Sequence, residues 1–416
     1  MLRKFTLAAL MLNLCFVSAV SAQEKLIPNA VLPEQAKSSS TNSNTPHWYE
    51  SFAIRGYSQV RYNRLFETNP NLKCDQCDKS WGDKQGLSIR RMRIIFYGQI
   101  SPRVYFYVQP DFASTAGSGS SATYHVAQIR DAYMDLGLDK NNEFRIRLGQ
   151  SKVPYGFENM QSSQNRVPLD RNDALNSPVS NERDMGAFFY WAPKAKRQLF
   201  SSLVKDGLKG SGDYGVFAFG AYNGQCANQA EKNNNLHIVS RLSYPFQIGN
   251  QIIEPGIQAF SGKYVIANHS TDVKMAKNGE YKDERMAASF ILYPKPFGIQ
   301  AEYNVGVGPE FNKKTDSIET QKLTGGYITL TYLIKAKGQT FIPFTRAQYY
   351  DGGKKFELDA RSYKVNEFEI GIEWQPVKSF ELTAMYTISE RRFEDYAKPN
   401  NFQAGRLLRL QAQYNF

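Results

Sequence analysis

The sequence predicts an all-β fold, a transmembrane antiparallel β-barrel of about 16 strands with short periplasmic turns and long extracellular loops. Three observations predict it. Polar and apolar residues alternate with a period of two from Phe52 to the C-terminus, short and long connections alternate along the chain, and an export signal opens it.

The export signal comes first. Arg3 and Lys4 precede an apolar run from Phe5 to Val20, which exits through Val20-Ser21-Ala22. A charged start, a short apolar core and a small-x-small exit form a secretory signal peptide, cleaved after Ala22. The run falls short of the roughly 20 residues a spanning helix needs. Leu14 precedes Cys15, where lipid attachment would require a small residue, so a lipoprotein signal is not expected. Residues 23–50 are polar and rich in Ser, Thr, Asn and Pro, which reads as a flexible leader. The barrel is expected over 51–416.

Composition fits a barrel in a membrane. No later stretch reaches 18 uninterrupted apolar residues, yet Tyr (25) and Phe (27) are plentiful. A closed barrel shows lipid only every second residue, so its average stays polar. The formal charge of +12 becomes +10 once Arg3 and Lys4 leave. Such a balance attracts anions, either lipopolysaccharide phosphate or small solutes. Dispersed basic residues with no basic tail argue against nucleic acid.

The strand period is plainest near the end. Phe368, Ile370, Ile372 and Trp374 alternate with Glu367, Glu369, Gly371 and Glu373, and Leu408 to Phe416 repeats the pattern. Short turns are expected at Ser101 to Arg103, Asp139 to Asn142, Gln247 to Asn250, Pro294 to Gly298, Lys335 to Gln339 and Gln375 to Lys378. Longer polar segments fall at about 67–86, 114–125, 153–184, 224–235, 263–284, 307–321, 351–365 and 389–403. One further link, 194–212, is long and Lys/Gly-rich where a short turn is needed. Counting it gives seven turns, eight loops and 16 strands, wide enough for a water-filled channel. The chain stops on Phe416 in an alternating strand, which resembles the recognition signal for the outer-membrane assembly machinery.

Parity then assigns the lumen. If apolar residues face lipid, Arg55, Arg61, Arg91, Arg93, Arg145 and Arg147 face inward on early strands, because charge at the bilayer midplane costs a few kcal/mol. Guanidinium groups suit phosphate and carboxylate oxygens by bidentate contact. Lys152 and Arg346 join the basic lining. Asp111, Asp131, Asp135, Glu254, Glu302, Glu367, Glu369, Glu373 and Glu381 face inward too, giving an acidic late arc. These charges either set a transverse field or neutralise one another in salt bridges. The longest loop, 153–184, is expected to fold inward and narrow the pore. It sets Arg166, Arg171 and Arg183 against Glu158, Asp170, Asp173, Glu182 and Asp184.

Other chemistry is thinly represented. Cys74 and Cys77 form a lone C-x-x-C, expected as a loop disulfide in an oxidising compartment, which leaves Cys226 over. It lacks the second pair of a zinc site, and no metal or cofactor is expected. The histidines are His47, His125, His237 and His269. His237 alone begins a strand, but Ser240 has the opposite parity and Ser243 lies roughly 20 Å away at strand rise. A barrel hydrolase is therefore not expected. The competing class is a structural or adhesive barrel without a steady channel.

Several strings resemble a known family. Gln128-Ile-Arg-Asp-Ala-Tyr-Met-Asp135, Arg147-Leu-Gly-Gln-Ser-Lys-Val-Pro-Tyr-Gly156 and Arg183-Asp-Met-Gly186 are similar to the phosphate-selective porin O and P family. Ser88 to Arg93 and Pro343 to Arg346 fit its second and late strands. The resemblance spans about Phe52 to Phe416. It implies a 16-stranded outer-membrane barrel, a homotrimer, and diffusion of small anions along arginines. Phosphate-selecting members of the family add lysines at the constriction. Here no lysine occurs between Lys152 and Lys194, although Lys263, Lys274, Lys277 and Lys282 lie in the loop at 263–284.

Overall fold

In a computed structural model the chain is described over residues 48–66, 86–115, 125–177 and 183–416. The signal peptide, the leader as far as residue 47, Cys74 and Cys77 lie outside the described residues. Residues Trp48–Ser51 form a short 3-10 turn that leads into the first strand.

Sixteen strands follow. They are β1 (Phe52–Leu65), β2 (Gly86–Ser101), β3 (Val104–Thr115), β4 (His125–Gly137), β5 (Phe144–Lys152), β6 (Arg183–Trp191), β7 (Phe217–Tyr222) and β8 (His237–Ser243, resumed at Phe246–Ile248). Then come β9 (Gln251–Val265), β10 (Glu280–Leu292), β11 (Phe297–Asn312), β12 (Ser317–Tyr332, resumed at Ile334–Ala336), β13 (Gln339–Gly353), β14 (Ser362–Val377), β15 (Phe380–Glu394) and β16 (Phe402–Asn415). Each strand pairs antiparallel with its sequence neighbour, and β16 returns to β1 with Tyr57 opposite Asn415. The sheet is closed, so it has no edge and its backbone groups are satisfied within it, as a bilayer requires.

The closure is finished by the last residue. Phe416 N–H donates to Gly56 O at 3.0 Å, and Gly56 N–H donates to Phe416 O at 2.7 Å. A Cβ on Gly56 would sit 2.4 Å from the Phe416 ring, so the seam needs glycine there.

Exposure follows the expected parity on the late strands. Phe368, Ile370 and Ile372 are 45%, 51% and 43% exposed, whereas Glu367, Glu369 and Glu373 are buried. From β6 to β15 the inward face also carries apolar groups. Phe188, Tyr190, Tyr222, Val239, Phe260, Leu323 and Tyr350 form a buried cluster with Val153, Tyr155, Ala174 and Leu175 of the long loop. An inward apolar residue is stable here because protein, not water, covers it.

Two connections differ from expectation. The segment 307–321 is mostly strand: β11 and β12 stay paired from Phe297 opposite Tyr332 to Asn312 opposite Ser317, leaving a tight turn at 313–316. One face of this hairpin is buried, where Phe311 and Ile318 pack with Tyr264, Ile266, Val273 and Tyr281, and its exposed polar residues gather at the turn. The link at 194–212 contains a helix, Lys194–Lys205. Its Phe200 and Leu203, with Leu208, pack against Ile252, Ile291 and Tyr293 of the wall and against Phe157 of the long loop. Lys209 then reaches Glu373 on β14 at 2.6 Å. This turn therefore folds into the barrel and is latched to a distant strand.

Candidate functional site

The loop that follows β5 folds into the barrel. Gly156, at φ 80°, turns the chain inward, a conformation costly for any residue with a Cβ. Two one-turn helices follow, α1 (Phe157–Met160) and α2 (Asp173–Asn176). Glu302 of β11 accepts the N–H groups of Phe157 at 2.6 Å and Glu158 at 2.9 Å, satisfying donors that begin α1. Lys152 closes its other end, donating to Met160 O at 3.0 Å and Gln161 O at 2.5 Å. Asn172 caps α2 by accepting Leu175 N–H at 2.9 Å.

The loop then crosses the lumen and is fastened around it. Ser163 meets Tyr57 at 2.6 Å and accepts from Arg93 at 3.2 Å. Asp170 pairs with Arg61 of β1 at 3.1 Å, Arg409 of β16 at 2.5 Å and Arg90 of β2 at 3.5 Å. Glu158 pairs with Arg346 of β13 at 3.0 Å, and Asp173 with Lys354 at 2.5 Å and Arg391 of β15 at 3.2 Å. Burial alone would raise the Asp170 carboxyl, but Arg61, Arg409, Arg90 and Arg91 hold it well below the usual carboxylate range. Lys354 and Arg391 likewise outweigh burial at Asp173.

The late acids are all engaged. Arg346 and Arg409 bind Glu369 at 2.5 and 3.1 Å, Arg391 binds Glu367 at 2.6 Å, and Lys209 binds Glu373. Arg241 binds Glu254 at 3.1 Å, Glu302 caps α1, and Glu381 accepts from Asn415 at 3.4 Å. Of the two roles open to this acidic arc, neutralisation and anchorage is the one its geometry describes.

The early arc has a different balance. Arg93 binds Asp111 at 2.8 Å, Arg183 binds Asp131 at 2.8 Å, and Arg147 binds Asp135 through two bonds at 2.7 and 2.9 Å. Arg145 pairs with Asp213 at 2.8 Å, Arg91 donates to Gln59 at 2.8 Å, and exposed Arg55 lies 5.1 Å from the Tyr97 ring centre. Two further arginines enter through β-bulges. Gln59 opposes Arg91 while Val60 opposes Ile89, and Gln109 opposes Asp131 while Pro110 opposes Ile129. The extra residues are Arg90 and Arg130, re-aimed toward Asp170 and, at 3.4 Å, toward Asp111. Strict parity assigns both to lipid, so sequence reasoning missed them; the signal was the unbroken Arg90-Arg91 pair.

Around this loop Arg61, Arg90, Arg91, Arg93, Arg130, Arg166, Arg171, Arg183 and Arg409 outnumber Asp111, Asp131, Glu158, Asp170 and Glu369. Burial, followed by the charges of Arg166, Arg91 and Arg183, pushes the Arg171 guanidinium well below its usual value. Burial also pushes Arg166 down to about 10, against the pull of Glu158 and Asp170. A guanidinium keeps its proton at physiological pH. A nearby anion relieves such crowding instead.

Comparison with known proteins agrees with the geometry. The structure resembles the outer membrane channel DcaP of Acinetobacter baumannii (TM-score 0.56, 15% identity, 88% of this chain and 97% of that one). It also resembles OmpF of Salmonella typhi in complex with daunomycin (TM-score 0.52, 12% identity, 88% and 97%). An anion-selective porin from Comamonas acidovorans aligns at TM-score 0.52 and 9% identity, over 88% and 99%. These likenesses show the 16-stranded fold. No curated protein sequence matches the chain. The family model of "Phosphate-selective porin O and P" matches residues 72–416. A closed barrel, crossed by its own inward loop and matched along most of its length by that family, gives passive passage to small hydrophilic solutes across the bacterial outer membrane: the chain belongs to the phosphate-selective porin O and P family.

Proposed function

We propose that this porin prefers anions, which diffuse along the arginines of β1 to β5 and the inward loop. The observation that carries this reading is the unequal use of charge. Late acids are paired with Arg346, Arg391 and Arg409, the wall arginines that also hold the loop's carboxylates, while early guanidiniums outnumber the carboxylates near them. Inorganic phosphate and small carboxylates suit bidentate guanidinium contact. The Comamonas acidovorans neighbour, described as anion-selective, is compatible with this direction.

Lysines do not take over the role of a phosphate filter in this reading. Lys263, Lys274, Lys277 and Lys282 are exposed, and Lys282 pairs with Glu284 at 2.7 Å. Selectivity among anions rests on guanidiniums. Lys152 acts by fixing the loop, since its ammonium sits on two loop carbonyls.

The turn end is read as periplasmic and the loop end as extracellular, facing lipopolysaccharide. The β16 strand ending at Phe416 is read as the contact for the barrel-assembly machinery, and the assembly as a homotrimer, as the family implies. No catalysis is assigned. His237 lies buried between Tyr222 and Phe260, with ring centres at 5.2 and 5.8 Å.

Ion substitution in planar bilayers tests the reading. Exchanging potassium for lithium should leave single-channel conductance nearly unchanged, whereas exchanging chloride for a bulkier anion should lower it several-fold. The opposite sensitivity contradicts anion preference.

A further inference from the structure

Turnward of the constriction, the same early strands line a second chamber. Tyr97 on β2, Tyr105 and Tyr107 on β3, and Tyr133 on β4 are half-buried and share the inward parity of Arg93, Asp111 and Asp131. They lie two to six residues closer to the turns than those charges, roughly 7–20 Å at strand rise. A cavity of about 360 Å³ opens there, with the Tyr105 and Tyr133 rings on its wall. That volume suits a small molecule.

Its chemistry combines ring faces with guanidiniums. Tyr107 and Tyr133 stack nearly parallel, 14° apart with centres at 5.1 Å. Arg147 lies 3.8 Å from the Tyr133 ring centre while Asp135 grips its other edge, so Tyr133 is covered by Tyr107 and Arg147, and Tyr105 is the wall ring that meets a ligand. The inserted turn closes the far side, where Arg197 binds Asp213 at 2.8 Å and Asp213 binds Arg145. Four guanidiniums (Arg103, Arg145, Arg147 and Arg197) thus face two carboxylates on the cavity wall, and Arg103 is exposed.

A compact hydrated anion gains little from tyrosine faces, whose electron-rich surfaces repel it. A neutral sugar would use the rings but leave the guanidinium excess without a role. A planar apolar body bearing a carboxylate uses both, stacking on tyrosine while its oxygens meet arginine. We propose that this lower chamber is a recognition station for small organic carboxylates with a planar apolar body, arylcarboxylates being the simplest. The inference rests on the anion-pore reading and names its solute class.

Titration calorimetry on the full-length protein in detergent tests it, using benzoate, acetate, inorganic phosphate, benzamide and a disaccharide as probes. Benzoate should bind at least about 5-fold more tightly than each of the others. Tyr105→Ala should weaken benzoate about 3- to 10-fold, the range expected for one lost aromatic contact. Tyr105→Phe should retain binding, and Arg103→Gln should weaken it without removing a ring. The station is overturned if acetate, phosphate, benzamide or the disaccharide binds as tightly as benzoate, or if Tyr105→Ala and Arg103→Gln change nothing. Bilayer conductance separates this result from the pore reading. A conducting channel without benzoate preference removes the station alone, whereas benzoate binding by a non-conducting barrel removes the pore.

Discussion

Arg61 on the first strand and Asp170 on the inward loop meet at 3.1 Å with the arginine side chain fully buried, and the same carboxylate is shared with Arg409 of the last strand. The inward loop is therefore tied to the seam where the barrel closes. Asp170→Asn should strip both arginines of their shared counter-charge. Breaking a buried pair from one side costs roughly 3–5 kcal/mol. Hydrogen exchange over residues 157–177 should rise sharply, and open-channel noise should increase. An unchanged exchange pattern would show that the other anchors suffice.

Arg171→Glu tests the electrostatics without touching a strand. It places a negative group beside Arg166, Arg91 and Arg183, where a positive one now crowds them. The anion-to-cation permeability ratio should fall several-fold, to an extent that shrinks at high salt as screening grows. Conductance at saturating salt should change less.

The direction of the loop depends on one backbone angle. Gly156→Ala forces a side chain into the left-handed region at about 1–2 kcal/mol, and its Cβ would come within 3.1 Å of Asn159 and Leu175. The expected outcome is a wider, noisier channel with a loop that added protease cleaves. A variant with native conductance and native resistance speaks against this steering role.

The turn latch offers an independent test. Lys209 joins Glu373 across the barrel, and that carboxylate holds its ammonium above the usual lysine value despite burial. Lys209→Ala and Glu373→Gln should each raise conductance fluctuations, and the double variant should add little to either. Additive effects would show that the two residues act separately.

The response to acid follows from the anchors. Asp170 and Asp173 both titrate below their unfolded values, so their stabilisation is present above about pH 4 and is lost as pH falls through their lowered folded values. These two anchors should hold from pH 8 to about pH 5 and release the loop only in stronger acid, read as an increase in channel size. A transition near neutrality would mean that some other group controls the loop.

Much of this architecture was legible because a barrel strand exposes its period directly, as Phe368 to Trp374 does. The inward course of the loop was suggested by its length alone. The bulges hid Arg90 and Arg130, since one extra residue breaks the parity that assigns faces. The apolar lumen wall around Phe188 and Phe260 was hidden for another reason: its meaning depends on a loop distant in sequence. The inserted turn left a fainter trace, the three-residue spacing of Phe200 and Leu203, which belongs to a helix and not a strand. Whether the late acids created a field or served as anchors depended on distances that no periodicity contains.

Ion preference is read most directly from the zero-current potential of the wild-type protein in a potassium chloride gradient. An anion-preferring pore gives a potential with the sign of chloride permeation, diminished by Arg171→Glu. A potential with the sign of potassium permeation would contradict it.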